Sequence, residues 1–175
     1  LRTEYAPTLP LWADRERAAF GAWYEFFPRS AEGHPERGST FRDCLGRVDD
    51  AKAMGFEVIY FPPIHPIGRT HRKGRNNSLT CEPGEPGVPY AIGDSQVGQN
   101  GGGHMDVAPE LGTLADFAWL VAEVKKRGME IALDFAINCS PNHPYVTEHP
   151  EWFFKRPDGT IKYAENPPKK YEDVY

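Results

Sequence analysis

The sequence contains no long hydrophobic run: no stretch approaches the roughly 20 apolar residues that a membrane span needs, and the N-terminus carries no signal-peptide pattern. Cysteine is scarce. Cys44, Cys81 and Cys139 are too few and too scattered for a disulfide framework, which points to a reduced, cytoplasmic protein. Positive charge is not in excess either. The formal net charge of −5 lacks the positive field on which general nucleic-acid or membrane-surface binding rests, so neither is expected as a partner. The basic residues that do cluster lie in "HRKGR" (71–75) and "PPKK" (167–170). Such runs are ordinarily solvated loops, but two of them on one site would imply an anionic ligand.

Glycine and proline are plentiful, 17 of each in 175 residues, and aromatic residues make up 13%. The length is that of one ordinary domain, enough to bury a sizeable core. Most glycines and prolines fall in 62–112 and after 140. Long loops in a compact domain more often carry function than not.

Two stretches share one design. In "TFRDCLGRVDDAKAMG" (40–55), Phe41, Cys44, Leu45, Val48, Ala51 and Met54 fall on one helical face, with Thr40 and Asp43 at capping-box spacing and Gly55 as a stop. "FEVIYFPPI" (56–64) follows as a buried strand. "TLADFAWLVAEVKKRG" (113–128) repeats the pattern: Leu114, Phe117, Leu120, Val121 and Val124 form the stripe, Thr113 and Asp116 the cap. Lys125, Lys126 and Arg127 complement the helix dipole before Gly128, and "MEIALDFAI" (129–137) is the next strand. "GAWYEFFPRS" (21–30) supplies an earlier one.

Alternating helices and apolar strands predict a parallel sheet with right-handed crossovers. No glycine-rich phosphate turn follows the first strand, as a doubly wound sheet would require. The expected fold is therefore α/β, a partial (β/α)8 TIM barrel comprising its first three strands with long βα loops. Residues 1–20 form a lead-in and 21–175 the N-terminal portion of the barrel. Active sites of such barrels lie on the loops after the strands, here 28–38, 62–110 and 134–175.

Within those loops, Asp134 ends an apolar strand, where a lone buried charge is prohibitive. It is either a structural carboxylate satisfied by neighbours or a group facing the barrel mouth. Cys139 and His143 lack the spacing of a zinc site, and no second Cys/His pair supports one. "GQNGGGH" (98–104) lacks the Gly-Lys-Ser/Thr ending of a phosphate loop and reads as a surface loop. "HRKGRNNS" (71–78) and "YAENPPKKYEDVY" (163–175) combine cations with amides and aromatic rings, which suits sugar hydroxyls and phosphate oxygens.

These segments resemble the α-amylase superfamily of glycoside hydrolases and transglycosidases, with "PELGT" and the stretch beginning at Asp134 at two of its signatures. "AWYEFFPRS", "HRKGRNNS", "DFAINCSPNHP" and "HPEWFFKRPDGTIKYAENPPKKYEDVY" are together very similar to the α-1,4-glucan:maltose-1-phosphate maltosyltransferase family. That resemblance implies transfer of maltosyl units from α-maltose 1-phosphate to the non-reducing end of an α-1,4-glucan such as glycogen, releasing phosphate with retention of configuration. It implies no cofactor and no metal, and a homodimer for the full-length protein.

The resemblance places Lys73 and Asn77 on the donor's sugar hydroxyls and Asn138 at a sugar-binding position where the family usually carries Gln. Asn166, Lys169, Tyr171 and Asp173 surround the donor, with Lys169 and Tyr171 toward the phosphate. Asp134 becomes a barrel-mouth carboxylate that shapes the site, and Cys139 and His143 loop framework. The family's nucleophile Asp and acid/base Glu follow later strands, so both are expected beyond Tyr175, and this segment alone is expected to be inactive. The alternatives are an α-glucan hydrolase, a trehalose-forming transglycosidase, or a non-catalytic α-glucan-binding module.

Overall fold

The computed structural model describes residues 3, 4, 6–34, 37–93 and 101–162. Three short strands, β1 (Trp23–Glu25), β2 (Val58–Phe61) and β3 (Glu130–Leu133), pair in parallel in the order β1-β2-β3. Trp23 aligns with Val58 and Val58 with Glu130, so the strands start level. Among the described residues the helices are α1 (Glu16–Ala19), α2 (Leu45–Ala53), α3 (Leu114–Lys126) and α4 (Tyr145–Glu148). Helices α2 and α3 lie in the β1–β2 and β2–β3 connections, as parallel pairing demands.

The period-2 pleat divides the sheet into two faces. Ile59 and Phe61 are fully buried on the helix side, where Phe26 meets Phe61 edge to face at 5.1 Å. Helix α2 contributes Val48 and Ala51, α3 contributes Leu120 and Val124, and Phe41 and Met129 complete this core. The opposite face carries Trp23 and Tyr60, whose ring centroids are 6.1 Å apart.

Each strand is shorter than its apolar run. The stretches 21–30, 56–64 and 129–137 pair only over Trp23–Glu25, Val58–Phe61 and Glu130–Leu133. Pro62 and Pro63 offer no N–H to a ladder, and after β1 the chain turns into a 3-10 segment, Pro28–Ser30. The two caps also differ. Thr113 and Asp116 form a complete capping box on α3, the hydroxyl accepting from Asp116 N and the carboxylate from Thr113 N. Asp43 accepts from both Thr40 N and Thr40 Oγ1, as Asp116 does from Thr113, but its own N–H donates to Thr40 O at 3.1 Å and not to the hydroxyl. The chain accordingly enters α2 through a 3-10 turn, Arg42–Cys44. Met54, expected on the apolar stripe, is 58% exposed, because α2 ends one residue before it.

Polar contacts fix the helices and the lead-in. Arg127 at the end of α3 pairs with Asp49 of α2, and Arg42 pairs with Asp116 while its guanidinium lies 4.0 Å from the centre of the Trp119 ring. Arg15 and Arg17, flanking the start of α1, both reach Glu130 at the N-terminal end of β3. Residues before β1 therefore close the end of the sheet opposite the long loops. Among the described residues no helix is long and apolar enough to cross a membrane.

Phe61→Ala should cost about 3–5 kcal/mol and Met54→Ala less than about 0.5 kcal/mol, measured by urea denaturation. Equal costs would contradict this placement of the core.

Candidate functional site at the strand ends

The chemistry-bearing loops all leave the C-terminal ends of the three strands, and β3 sets the site's position. Asp134 directly follows β3 and is tied to the sheet by its N–H donating to Phe61 O (2.9 Å). Its carboxylate Oδ2 accepts from Tyr60 Oη at 2.6 Å. Tyr60 lies on β2 in register with Ala132, two residues before Asp134, so both side chains leave the same face of the sheet. The hydrogen bond to Asp134 pushes the Tyr60 hydroxyl pKa up to about 12. Tyr90, from the second loop, is also raised, by partial burial first and then by the Asp134 charge. Asp134 is thus a positioned carboxylate between two phenols on the open face of the sheet. Its chemistry is to accept hydrogen bonds and hold a fixed negative charge there.

A second set of contacts fastens the loops to each other. Tyr145 N–H donates to Nδ1 of buried His143 (3.1 Å), so in a neutral ring the proton sits on Nε2. That Nε2 faces His104 Nδ1 at 2.9 Å, and His104 Nε2 donates to Ala136 O at 2.7 Å. The tautomers of both rings follow from these end contacts. His65, whose ring centre is 5.2 Å from that of His104, donates from Nδ1 to Asp106 O. Burial, then the neighbouring His104 and His65, lowers the His143 pKa to about 4. His65 is lowered too, chiefly by burial.

With both nitrogens engaged, His143 has no lone pair left for a metal. Among the described residues no group of three or more His, Cys, Asp or Glu side chains is arranged to hold one. Cys139 is buried and bridges Ile92. Asn142 Oδ1 accepts from the backbone N–H groups of Arg69 (2.9 Å) and Thr70 (2.6 Å), stitching the third loop to the second. Gly68 and Gly93 make this crossing possible: a Cβ on Gly68 would lie 1.9 Å from Ser140 Oγ, and one on Gly93 would lie 2.3 Å from Gly68 Cα.

Of the residues expected at the site, Lys73 is 5% exposed, its stem packed within the second loop. Asn77 ends the 3-10 turn Arg75–Asn77 of the same loop. Asn138 is exposed in the third loop, immediately before Cys139. These three stand at one end of the sheet but on two separate loops. Asn166, Lys169, Tyr171 and Asp173 lie outside the described residues. The end of "GQNGGGH" is not a surface loop. Gly102 and Gly103 are buried, Gly103 donates to Gly93 O, and a Cβ on Gly103 would come within 2.9 Å of His143 Nε2. Sequence reasoning missed Tyr60, Tyr90, His65 and His104. Only Tyr60 carried a local signal, its alternation with Ile59 and Phe61 along β2.

The histidine contacts have a pH signature. The unfolded chain binds a proton on His143 near the usual 6.5, whereas the folded chain does so only near 4. The stability from neutral His143 is therefore full above pH 6.5 and is lost as pH falls toward 4. The loss is on the order of 2–3 kcal/mol once solvent screening is allowed for. Urea midpoints between pH 6.5 and 4.5 should fall for the native sequence and much less for His143→Gln. Parallel profiles would contradict the assignment.

No family model matches the chain. Curated relatives named α-1,4-glucan:maltose-1-phosphate maltosyltransferase include one from Pseudomonas aeruginosa, 59% identical over 165 residues covering 94% of this chain and 24% of the relative. Another, from Myxococcus xanthus, is 55% identical over 174 residues covering 99% and 25%. The chain spans about a quarter of the length of the curated relatives it matches. Among solved structures, an α-amylase from Lactobacillus plantarum superposes with a TM-score of 0.64 at 30% identity, covering 88% of this chain and 31% of that one. A maltogenic α-amylase from Thermotoga neapolitana gives 0.62 at 28%, covering 79% and 28%. The sheet is thus the first three strands of a (β/α)8 barrel of the α-amylase type. By sequence the chain is similar over nearly its whole length to about a quarter of the length of proteins named α-1,4-glucan:maltose-1-phosphate maltosyltransferase.

Proposed function

We propose that the protein containing this chain transfers maltosyl units from α-maltose 1-phosphate to the non-reducing end of α-1,4-glucans, releasing phosphate. The observation that carries this is the 54–60% identity, sustained over 94–99% of the chain, to relatives bearing that activity in their names. Retention of configuration needs a carboxylate nucleophile and a carboxylic acid/base a few ångströms apart. Those two groups belong to strands after β3, and this chain contributes the donor side of the mouth.

In that role Lys73 and Asn77 hold sugar hydroxyls from the second loop and Asn138 from the third. Asn166, Lys169, Tyr171 and Asp173 complete the donor's surroundings, with Lys169 and Tyr171 on the phosphate. Burial suits Lys73 to the task, since an ammonium held in a packed loop loses little freedom when it binds. Asp134, held by Tyr60, fixes negative charge at the mouth, where it can accept from a sugar hydroxyl.

Incubating the full-length protein with α-maltose 1-phosphate and glycogen should release phosphate and lengthen the glucan by two glucose units per event, the new linkage being α. Free maltose without glucan extension would identify a hydrolase instead, the activity of the solved structural relatives named as amylases. Lys73→Met, which keeps the buried stem, should raise KM for the donor by about tenfold or more, the loss of one charge-assisted hydrogen bond. Unchanged donor kinetics would remove Lys73 from the site.

A further inference from the structure

Two arginines from different loops converge on one short piece of backbone. Arg29, in the loop after β1, donates from Nη1 to Gly87 O at 2.8 Å. Arg72, in the loop after β2, donates from Nη2 to Pro86 O at 3.2 Å. Both are half-buried, and among the described residues neither makes an ion pair with a carboxylate. Arg72 Nε is buried without a hydrogen-bond partner. Gly87, at φ +78°, permits the approach, since a Cβ there would stand 2.6 Å from that nitrogen. Burial and then the Arg72 charge lower the Arg29 pKa, with Glu110 opposing them.

Two like charges drawn together out of water and answered mainly by neutral carbonyls are an arrangement that an anion would relieve. Both line a cleft of about 610 Å³, within the range of small-molecule sites. Arg37 and Arg75 also line it, but Arg37 pairs with Glu32 and Asp43 and Arg75 with Glu85, so the positive charge there rests on Arg29 and Arg72, with Glu110 opposing part of it. Phe27, Pro63, Ile67 and Leu111 give it apolar walls. Arg29 and Arg72 each keep guanidinium N–H groups beyond the single carbonyl contact, in the fork geometry that suits a phosphate.

We propose that this cleft binds a phosphorylated ligand, the Arg29 and Arg72 guanidiniums taking the phosphate and the apolar walls the face of an attached sugar. Lys73, Asn77 and Asn138 are not among its lining residues, so the site is inferred independently of the proposed transfer reaction. The phosphate group could be free inorganic phosphate or that of a sugar phosphate.

Arginine-selective modification of the native full-length protein with phenylglyoxal, read by peptide mass spectrometry, tests this without substitution. Inorganic phosphate and α-maltose 1-phosphate should each slow modification of Arg29 and Arg72 by about fivefold or more, while leaving exposed Arg15 and Arg156 unaffected, and sodium chloride at equal ionic strength should protect neither pair. Protection at lower concentration by the sugar phosphate identifies it as the occupant, and the reverse order identifies the free ion. Failure of both to protect Arg29 and Arg72 overturns the proposal, whether or not the protein turns over maltose 1-phosphate. The Arg29→Gln/Arg72→Gln variant should bind inorganic phosphate at this site at least about tenfold more weakly by calorimetry, and the Arg29→Lys/Arg72→Lys variant, which keeps the charge but loses the fork, should fall between it and the native protein. Unchanged binding in a folded Gln variant also overturns it.

Discussion

The loop end of this molecule depends on one chain of hydrogen bonds: Tyr145 N–H to His143, His143 to His104, and His104 to Ala136 O. A sheet of three strands fixes only where its loops begin. The second and third loops are long and rich in glycine and proline, and they would sample many arrangements without cross-bracing. The imidazole chain, with Asn142 capping two N–H groups of the second loop, ties their described parts together. Asp134, Ala136 and Asn138 leave β3 into that braced region, so the positions of the carboxylate and of the proposed sugar ligand follow from it.

The fold was legible in the sequence because its signals are local. Helical periodicity, the Thr113–Asp116 capping box and the terminal glycines specify each helix–strand unit within about fifteen residues, and parallel order follows from alternation. Strand ends were less legible. Apolar runs continue past Phe61 and Leu133, but pairing needs a partner of equal length, and β1 turns away after Glu25.

The site was legible only in part. From its own neighbourhood Asp134 could be read only as either a structural or a mouth-facing carboxylate, and for Cys139 and His143 spacing argued only against a zinc site. His104 and His143 are 39 residues apart and meet through tertiary structure alone, and Gly102 and Gly103 look like a mobile loop until His143 is seen packed against Gly103. Lys73 sits in a strongly basic run that reads as solvated, yet it is nearly inaccessible. Arg72, its neighbour, turns toward Arg29 and the cleft, so one basic stretch serves two environments.

The central claim is that these strand-end loops form the donor side of a maltosyltransferase site. A crystal structure of the full-length protein with α-maltose 1-phosphate bound tests it directly. Sugar hydroxyls should lie within hydrogen-bond distance of Lys73 and Asn138, with the Tyr60–Asp134 contact and the histidine chain intact. A donor seated away from both residues, or a mouth whose second and third loops have separated, would contradict it.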